Sequence, residues 1–252
     1  MTFVDVDERL DTVAGTNLEL IQKIDGTAFA IDTLLLANFV RFTTDMSFAA
    51  DLGAGSGILS FLIKYRNPAL QVTGFEIQES CYQLSKRNVE LNSQFDGINF
   101  ENMDVRDIPS RILPETYDLV VSNPPYFPKG NGRLPQRISR ATARHELNGT
   151  LNDFIQAAVY MLPYGGRFCL VIPSSRFYET ADCLKGCNMG LRRLQFVHPK
   201  ENEQSHLVLI ESERFYNGRH EAMPAITIHM ADGSFSPEMN HLFTAGLKQI
   251  KM

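Results

Sequence analysis

The sequence predicts a doubly wound α/β fold: a seven-stranded, mainly parallel sheet whose last strands form an antiparallel hairpin. Three observations predict it. From residue 48 onward, short apolar runs alternate with stretches of helical period. The fourth run, YDLVVS at 117–122, is near-continuously apolar, as a strand covered on both faces is. A glycine-rich turn, DLGAGSG at 51–57, joins the first run to the first helix. That junction is where doubly wound sheets hold a ligand.

Each element has a local reason. FAADL at 48–52 is a short strand that stops at the glycines, and 58–65 is a helix with Leu59, Leu62 and Ile63 on one face. QVTGFE at 71–76 is the second strand. The helix at 79–91 places Tyr82, Leu84, Val89 and Leu91 at its apolar positions. Residues 98–100 form a short third strand. A helix at 151–162 is stopped by PYGG at 163–166, and RFCLVI at 167–172 is the fifth strand. Ser174 opens the next helix with capping chemistry. Strands at 191–197 and 206–212 close the set. Ahead of all this, GTAFAIDTLLLANFV at 26–40 reads as a short extended piece followed by an Asp32-capped helix. The expected organisation is an N-terminal extension at 1–45 packed on the core, a main domain at 46–215, and a C-terminal tail or small addition at 216–252.

The totals describe an ordinary globular chain: 252 residues, 44% hydrophobic and 21% charged. No apolar run is long enough for a membrane span. The acidic N-terminus lacks the pattern of a secretory leader. The cysteines at 81, 169, 183 and 187 make no disulfide scaffold, and Cys183 and Cys187 lack the partners of a metal site. They read as apolar buried thiols, so no metal is expected, and a cytoplasmic location follows. Nothing points to an obligate protein partner. A formal charge of −5 excludes a surface coated in positive charge for non-specific nucleic-acid binding. It leaves room for a local basic face. Lys129, Arg133, Arg137, Arg140 and Arg144 lie in a segment with no Asp or Glu.

The glycine turn selects among cofactors. Gly53, Gly55 and Gly57 permit a tight turn and a close approach of backbone to ligand. A dinucleotide fingerprint requires glycine at 58, which is Ile58, and a P-loop requires G-K-[ST], which is absent. Glu76 ends the second strand, 23 residues after Gly53, and a carboxylate there can accept from both hydroxyls of a ribose. Asp51, at the mouth of the turn, complements a positive or amino group. Asp104, after the third strand, can accept from an adenine amine. A ribose, a cationic centre and no phosphate describe S-adenosylmethionine.

The fourth strand ends in NPPYF at 123–127, on the same side of the sheet. An amine conjugated to a ring is a poor nucleophile, because its lone pair is delocalised. Accepting hydrogen bonds from both of its N–H groups draws the nitrogen toward tetrahedral geometry. The Asn123 side-chain oxygen and the Pro124 carbonyl are the two acceptors, and Pro125 fixes residue 124 in extended geometry. Tyr126 supplies a flat face for a planar substrate.

DLGAGSG at 51–57 with NPPY at 123–126 resembles the class I S-adenosylmethionine-dependent methyltransferases that modify exocyclic or amide nitrogens, over roughly residues 45–215. Four further pieces resemble the bacterial family that methylates N6 of adenine 37 in a valine tRNA. These are DTLLLANF at 32–39, NPPYF, the arginine-rich segment closing on ARHE at 143–146, and FVHPK at 196–200. The resemblance implies a catalytic tetrad Asn123, Pro124, Pro125 and Tyr126, and a cofactor site of Asp51, Gly53, Gly55, Gly57, Glu76, Asp104 and Asn123. The substrate side would be Tyr126, Phe127, Lys129, Arg133, Arg137, Arg140, Arg144 and His145. Given the acidic net charge, tRNA binding would concentrate there and on Arg192, Arg193 and Lys200. His145 and Glu146 are expected to hold the segment or touch substrate, since this chemistry needs no strong base. Two other readings remain: methylation of a glutamine amide in release factors, and a non-catalytic cofactor- or RNA-binding protein.

Overall fold

Strands that are apolar on both faces require helices on both sides of a sheet, and that is the arrangement found. The computed structural model describes residues 4–13, 15–24, 31–124 and 149–245. Two strands, β1 (Glu8–Thr12) and β2 (Glu19–Lys23), precede helix α1 (Ile31–Phe39). Alternation then begins: β3 (Phe48–Leu52), α2 (Ile58–Arg66), β4 (Gln71–Glu76), α3 (Glu79–Leu91), β5 (Ile98–Asn102), the one-turn α4 (Ile108–Arg111) and β6 (Leu119–Ser122). After residue 149 come α5 (Leu151–Met161), β7 (Arg167–Pro173), α6 (Phe177–Gly186), β8 (Met189–Lys200) and β9 (Leu207–Arg214). The short β10 (Glu221–Ala222) and β11 (Ile226–His229) and helix α7 (Pro237–Ala245) follow.

The main sheet runs β5-β4-β3-β6-β7-β9-β8, parallel except for β9, which lies antiparallel to both β7 and β8. These are the seven expected strands and the expected hairpin. The residues after Glu213, which carry no chemical signal in the sequence, extend the edge: β10 and β11 both pair parallel with β8. Neighbours on β6 go to opposite faces. Leu119 and Val121 pack with Ala49 and α2, while Val120 packs with Ala50, Leu52 and α5. Helix α5 starts on a capping box, in which Thr150 and Asp153 satisfy each other's backbone N–H. Ser174 behaves otherwise than predicted. It begins a 3-10 turn and its hydroxyl donates to the Ser205 carbonyl, so α6 starts at Phe177 without a side-chain cap.

The β1–β2 hairpin is fastened to α3 by polar groups. The most buried positions of α3 include Asn88, which with Asn92 beyond the helix end is almost wholly buried. Asn88 accepts from Ile21 N at 2.7 Å and donates to Ile21 O at 3.2 Å; Asn92 accepts from Glu19 N at 3.2 Å and donates to Glu19 O at 2.7 Å. Positions four apart on a helix are spaced like alternate residues on a strand. The two amides therefore act as a neighbouring strand for the open edge of β2. Arg87 adds a two-pronged ion pair to the buried Glu8.

Candidate active site

Chain order reverses between β3 and β6: β4 and β5 continue on one side, β7 on the other. The crevice outside the carboxyl ends of these strands is where such sheets bind ligands. The glycine turn lies there. Gly53 N and Ala54 N both donate to Phe75 O, at 2.9 and 3.0 Å, and the buried Asn88 holds Ser56 O at 2.9 Å. Gly53, Gly55 and Gly57 have φ of 75°, 57° and 90°. At Gly57 a Cβ would stand 2.4 Å from the Phe100 ring, whereas at Gly55 nothing lies within 4 Å. The first glycine requirement is packing beneath the turn; the second leaves its outer side open to a ligand.

Gly57→Ala should destabilise the protein by about 3 kcal/mol, combining a left-handed backbone with an overpacked ring. Urea unfolding of this variant and of Gly57→Ala with Phe100→Ala checks the cause. The double variant should show less than the sum of the two single losses, and strict additivity would refute the clash.

Asp51 is placed differently from the sequence reading. It is 1% exposed and lies beneath the turn rather than at its mouth, because the first turn of α2 brings Ser60 over it. Ser60 Oγ donates to its carboxylate at 2.7 Å. Burial pushes the Asp51 carboxyl up to about 7, opposed by the Ser60 hydrogen bonds. Glu76, 4% exposed, ends β4 as predicted. Its Oε2 accepts from Gly55 N at 2.8 Å and its Oε1 from Gln78 N at 2.7 Å. Burial raises this carboxyl too, against those hydrogen bonds. Asp104 follows β5 and accepts from Arg106 N at 2.9 Å and from the Arg106 guanidinium. That partner holds its carboxyl below the usual range. Arg106 was not anticipated; its signal is the D-x-R spacing across a tight turn.

Asn123 stands at the end of β6, one residue after Ser122, whose Oγ donates to Leu52 O at 2.7 Å across to β3. Its Nδ2 donates to Thr33 Oγ1 at 2.9 Å; burial pushes the neighbouring Asp32 carboxyl up, opposed by hydrogen bonding to Thr33 N and to the Asn123 side chain. Pro124 is buried. The structure thus brings Asn123, the glycine turn, Asp51, Glu76 and Asp104 to one end of four adjacent strands. Pro125, Tyr126, Phe127, Lys129, Arg133, Arg137, Arg140, Arg144, His145 and Glu146 lie outside the described residues.

Two basic residues assigned to RNA are otherwise engaged. Arg193 is 4% exposed, donates to Glu211 and to Phe39 O, and stacks over the Phe39 ring. Arg192 is paired with Glu213 at 2.6 Å and lies over Tyr216. The buried Glu211 demands these cations, since an unpaired charge inside the sheet costs several kcal/mol, on the order of 3–5. Lys200 alone of the three is exposed. The four cysteines are free thiols, and only Cys169 is fully buried.

An α/β sheet of this order with a glycine turn and three acids at successive strand ends defines a Rossmann-like methyltransferase. The profile of the methyltransferase small domain family matches residues 26–197, well over half of the chain, and the protein belongs to that family. S-adenosylmethionine is its cofactor. The residues present fit it. Each Glu76 oxygen keeps a lone pair beyond the one taken by backbone, and the outer side of Gly55 is open. Among sequences, proteins named tRNA1(Val) (adenine(37)-N6)-methyltransferase are 26% identical over 195 residues. The one from Yersinia pseudotuberculosis (strain YPIII) aligns over 77% of this chain and 75% of its own, and the one from Yersinia pestis (strain Pestoides F) over 77% of each. Among solved structures, a predicted O-methyltransferase, Atu636 from Agrobacterium tumefaciens, superposes with a TM-score of 0.70 at 22% identity, over 87% of this chain and 98% of its own. TYW2 of P. horikoshii in complex with MeSAdo superposes with a TM-score of 0.58 at 15% identity, over 84% of this chain and 73% of its own. These likenesses show a shared fold. No helix among the described residues is long and apolar enough to cross a membrane.

Proposed function

We propose that this methyltransferase modifies the exocyclic N6 amine of an adenine in tRNA, adenine 37 in the anticodon loop of a valine tRNA. The observation that carries the reading is Asn123 at the end of β6, across one strand pairing from the glycine turn. The relatives named for that reaction support the substrate. S-adenosylmethionine supplies an electrophilic methyl group. Glu76 would hold its ribose, Asp104 its adenine amine, and Asp51 would answer its positive charge. On the substrate side, the Asn123 oxygen and the Pro124 carbonyl accept from the two N–H groups of the amine. As the nitrogen becomes cationic those acceptors stabilise it more strongly than they did the neutral base, which is what lowers a barrier. The extra proton leaves afterward, so no strong base is required. Tyr126 stacks on a base that leaves its own stack, which is easier in a loop than in a duplex.

In this reading residues 46–215 form the catalytic domain, 1–45 its extension and 216–252 an addition. Phosphates would be met by Lys129, Arg133, Arg137, Arg140 and Arg144, with Lys200, and the work would be done in the cytoplasm. Six such contacts imply a fall in tRNA affinity of about 300-fold between about 50 and about 200 mM salt. The test is transfer of label from S-adenosylmethionine to bulk tRNA lacking its own N6-methyladenine, with release factor offered in parallel. Label on adenine of the tRNA is expected. Label on glutamine with none on RNA would overturn the proposal.

A further inference from the structure

Asp51, Glu76 and Asp104 suit the positive sulfur, the ribose and the adenine amine of S-adenosylmethionine. The cofactor also carries one anion, the α-carboxylate of its methionine end, which three acids oppose. That group needs hydrogen-bond donors, and the glycine turn has few left to offer. Gly53 N and Ala54 N go to Phe75 O, Gly55 N to Glu76 Oε2, and Gly57 N to Ala54 O.

One buried donor beside the turn has no acceptor. Gln22 of β2 is 5% exposed, and its Nε2 makes no hydrogen bond. Folded proteins seldom leave such a group unmatched, so an orphan of this kind marks a place that another molecule completes. Asn88 ties Gln22 to the turn. Its Nδ2 donates at 3.2 Å to Ile21 O, the carbonyl bonded to the Gln22 nitrogen, and at 2.9 Å to Ser56 O of the turn. The two oxygens therefore lie within about 6 Å of each other. Side chains alternate along a strand, so Gln22 shares a face with Leu20. Leu20 belongs to the core cluster that contains Leu34 and Leu36 of α1 and Leu59 and Ile63 of α2, the helix that the glycine turn opens. From Leu20 to Gln22 the strand runs toward the start of α3, since Glu19 meets Asn92 and Ile21 meets Asn88. The start of α3 follows Glu76 at the crevice. The neighbouring cations of the hairpin are engaged: Arg9, opposite Gln22 in the register, with Asp11 at 2.8 Å, and Lys23 with Asp7 and Glu8 at 3.0 Å each.

We infer that Gln22 is a cofactor-binding residue whose side-chain N–H donates to the α-carboxylate of S-adenosylmethionine. A neutral donor meets the carboxylate without setting a second positive charge near the sulfonium, which would repel it. The clamp of Asn88 and Asn92 then has a purpose beyond the fold, because it holds Gln22 against the turn. The inference concerns the cofactor alone and stands whichever amine receives the methyl group.

Gln22→Met keeps the length and nearly the volume of the side chain but has no N–H. The test is titration of this variant and of the unaltered chain with S-adenosylmethionine and with decarboxylated S-adenosylmethionine. The second ligand keeps the nucleoside, sulfonium and amine and lacks only the carboxylate. Gln22→Met should weaken binding of S-adenosylmethionine about 10-fold, the worth of a hydrogen bond to a charged group, and leave the decarboxylated ligand within about twofold. Retained binding of the second ligand also shows that the variant is folded. Equal losses on both ligands would overturn the assignment, because Gln22 would then serve another part of the cofactor or the fold. Unchanged affinity for both, the result if water alone completes the amide, would overturn it as well. Urea unfolding adds a readout without ligand. The cofactor-free variant should be at least as stable as the unaltered chain, since an orphan donor is gone, and should gain less from a fixed cofactor concentration. A clear loss of stability without cofactor would make the amide part of the fold and overturn the inference. No readout here involves the methyl acceptor. A protein inactive on both tRNA and release factor would therefore refute the functional reading and leave this assignment standing.

Discussion

Asn123→Ala should lower methyl transfer to tRNA by about 10²- to 10³-fold while cofactor affinity stays within a few-fold. The magnitude is that of removing one preorganised group aimed at charge developing in a transition state. The alanine removes the acceptor that strengthens as the nitrogen becomes cationic, so kcat falls rather than KM rising. Stability should change little, because the side chain is only partly buried and its partners Thr33 and Asp32 lie at a helix start. Single-turnover rates with the cofactor saturating, and cofactor binding measured separately, check both halves. Full activity in this variant would remove the mechanism, and a matching loss of cofactor affinity would place Asn123 in the cofactor site alone.

Asp51 should make the protein less stable as pH rises from about 4 to about 7. Its folded carboxyl is pushed up to about 7 by burial, above the ordinary aspartate value near 3.8 that it has when unfolded. Below both values the group is protonated in either state and contributes nothing. Between them the unfolded chain ionises while the folded chain holds its proton, so folding is progressively disfavoured. Above about 7 both are ionised and the penalty is constant, in total about 4 kcal/mol at roughly 1.4 kcal/mol per unit. Urea unfolding from pH 4 to pH 8 should show this fall, and Asp51→Asn should remove that part of the slope. Equal slopes in the two proteins would refute it. A cationic ligand bound over the glycine turn favours the ionised form of the Asp51 carboxyl beneath it, so cofactor binding near pH 6 should release a proton. Binding enthalpies in buffers of different ionisation heat would reveal it, and the same buffer dependence in Asp51→Asn would exclude Asp51 as the source.

Much of this molecule was legible residue by residue. Apolar runs of four to seven residues bounded by glycine and proline mark strands, because buried backbone must pair and chain turns need special dihedrals. The place of DLGAGSG between β3 and α2 follows from local spacing, as does Glu76 at the end of β4. Asn123 at the end of β6 is legible for the same reason: two prolines cannot continue the ladder. Other features were hidden by their form. The buried face of α3 was read from Tyr82, Leu84, Val89 and Leu91, but Ser85, Asn88 and Asn92 are the residues most deeply enclosed there. An amide looks like surface until the strand that it satisfies is known.

Periodicity, breakers and motif spacing are short-range properties, and they were enough for the α/β class, the order of elements and the chemistry expected at the strand ends. Burial and partnership depend on residues far apart in the chain. Arg193 reads as a cation for RNA, yet the buried Glu211 and the Phe39 carbonyl claim it. Asp51 reads as the lip of a turn, yet Ser60 covers it. Thr33 and Asn123 give no sign of each other across 90 residues until the sheet and α1 pack together. Desolvation and hydrogen-bond satisfaction are settled by what surrounds a group in three dimensions, and a linear pattern records only what precedes and follows it.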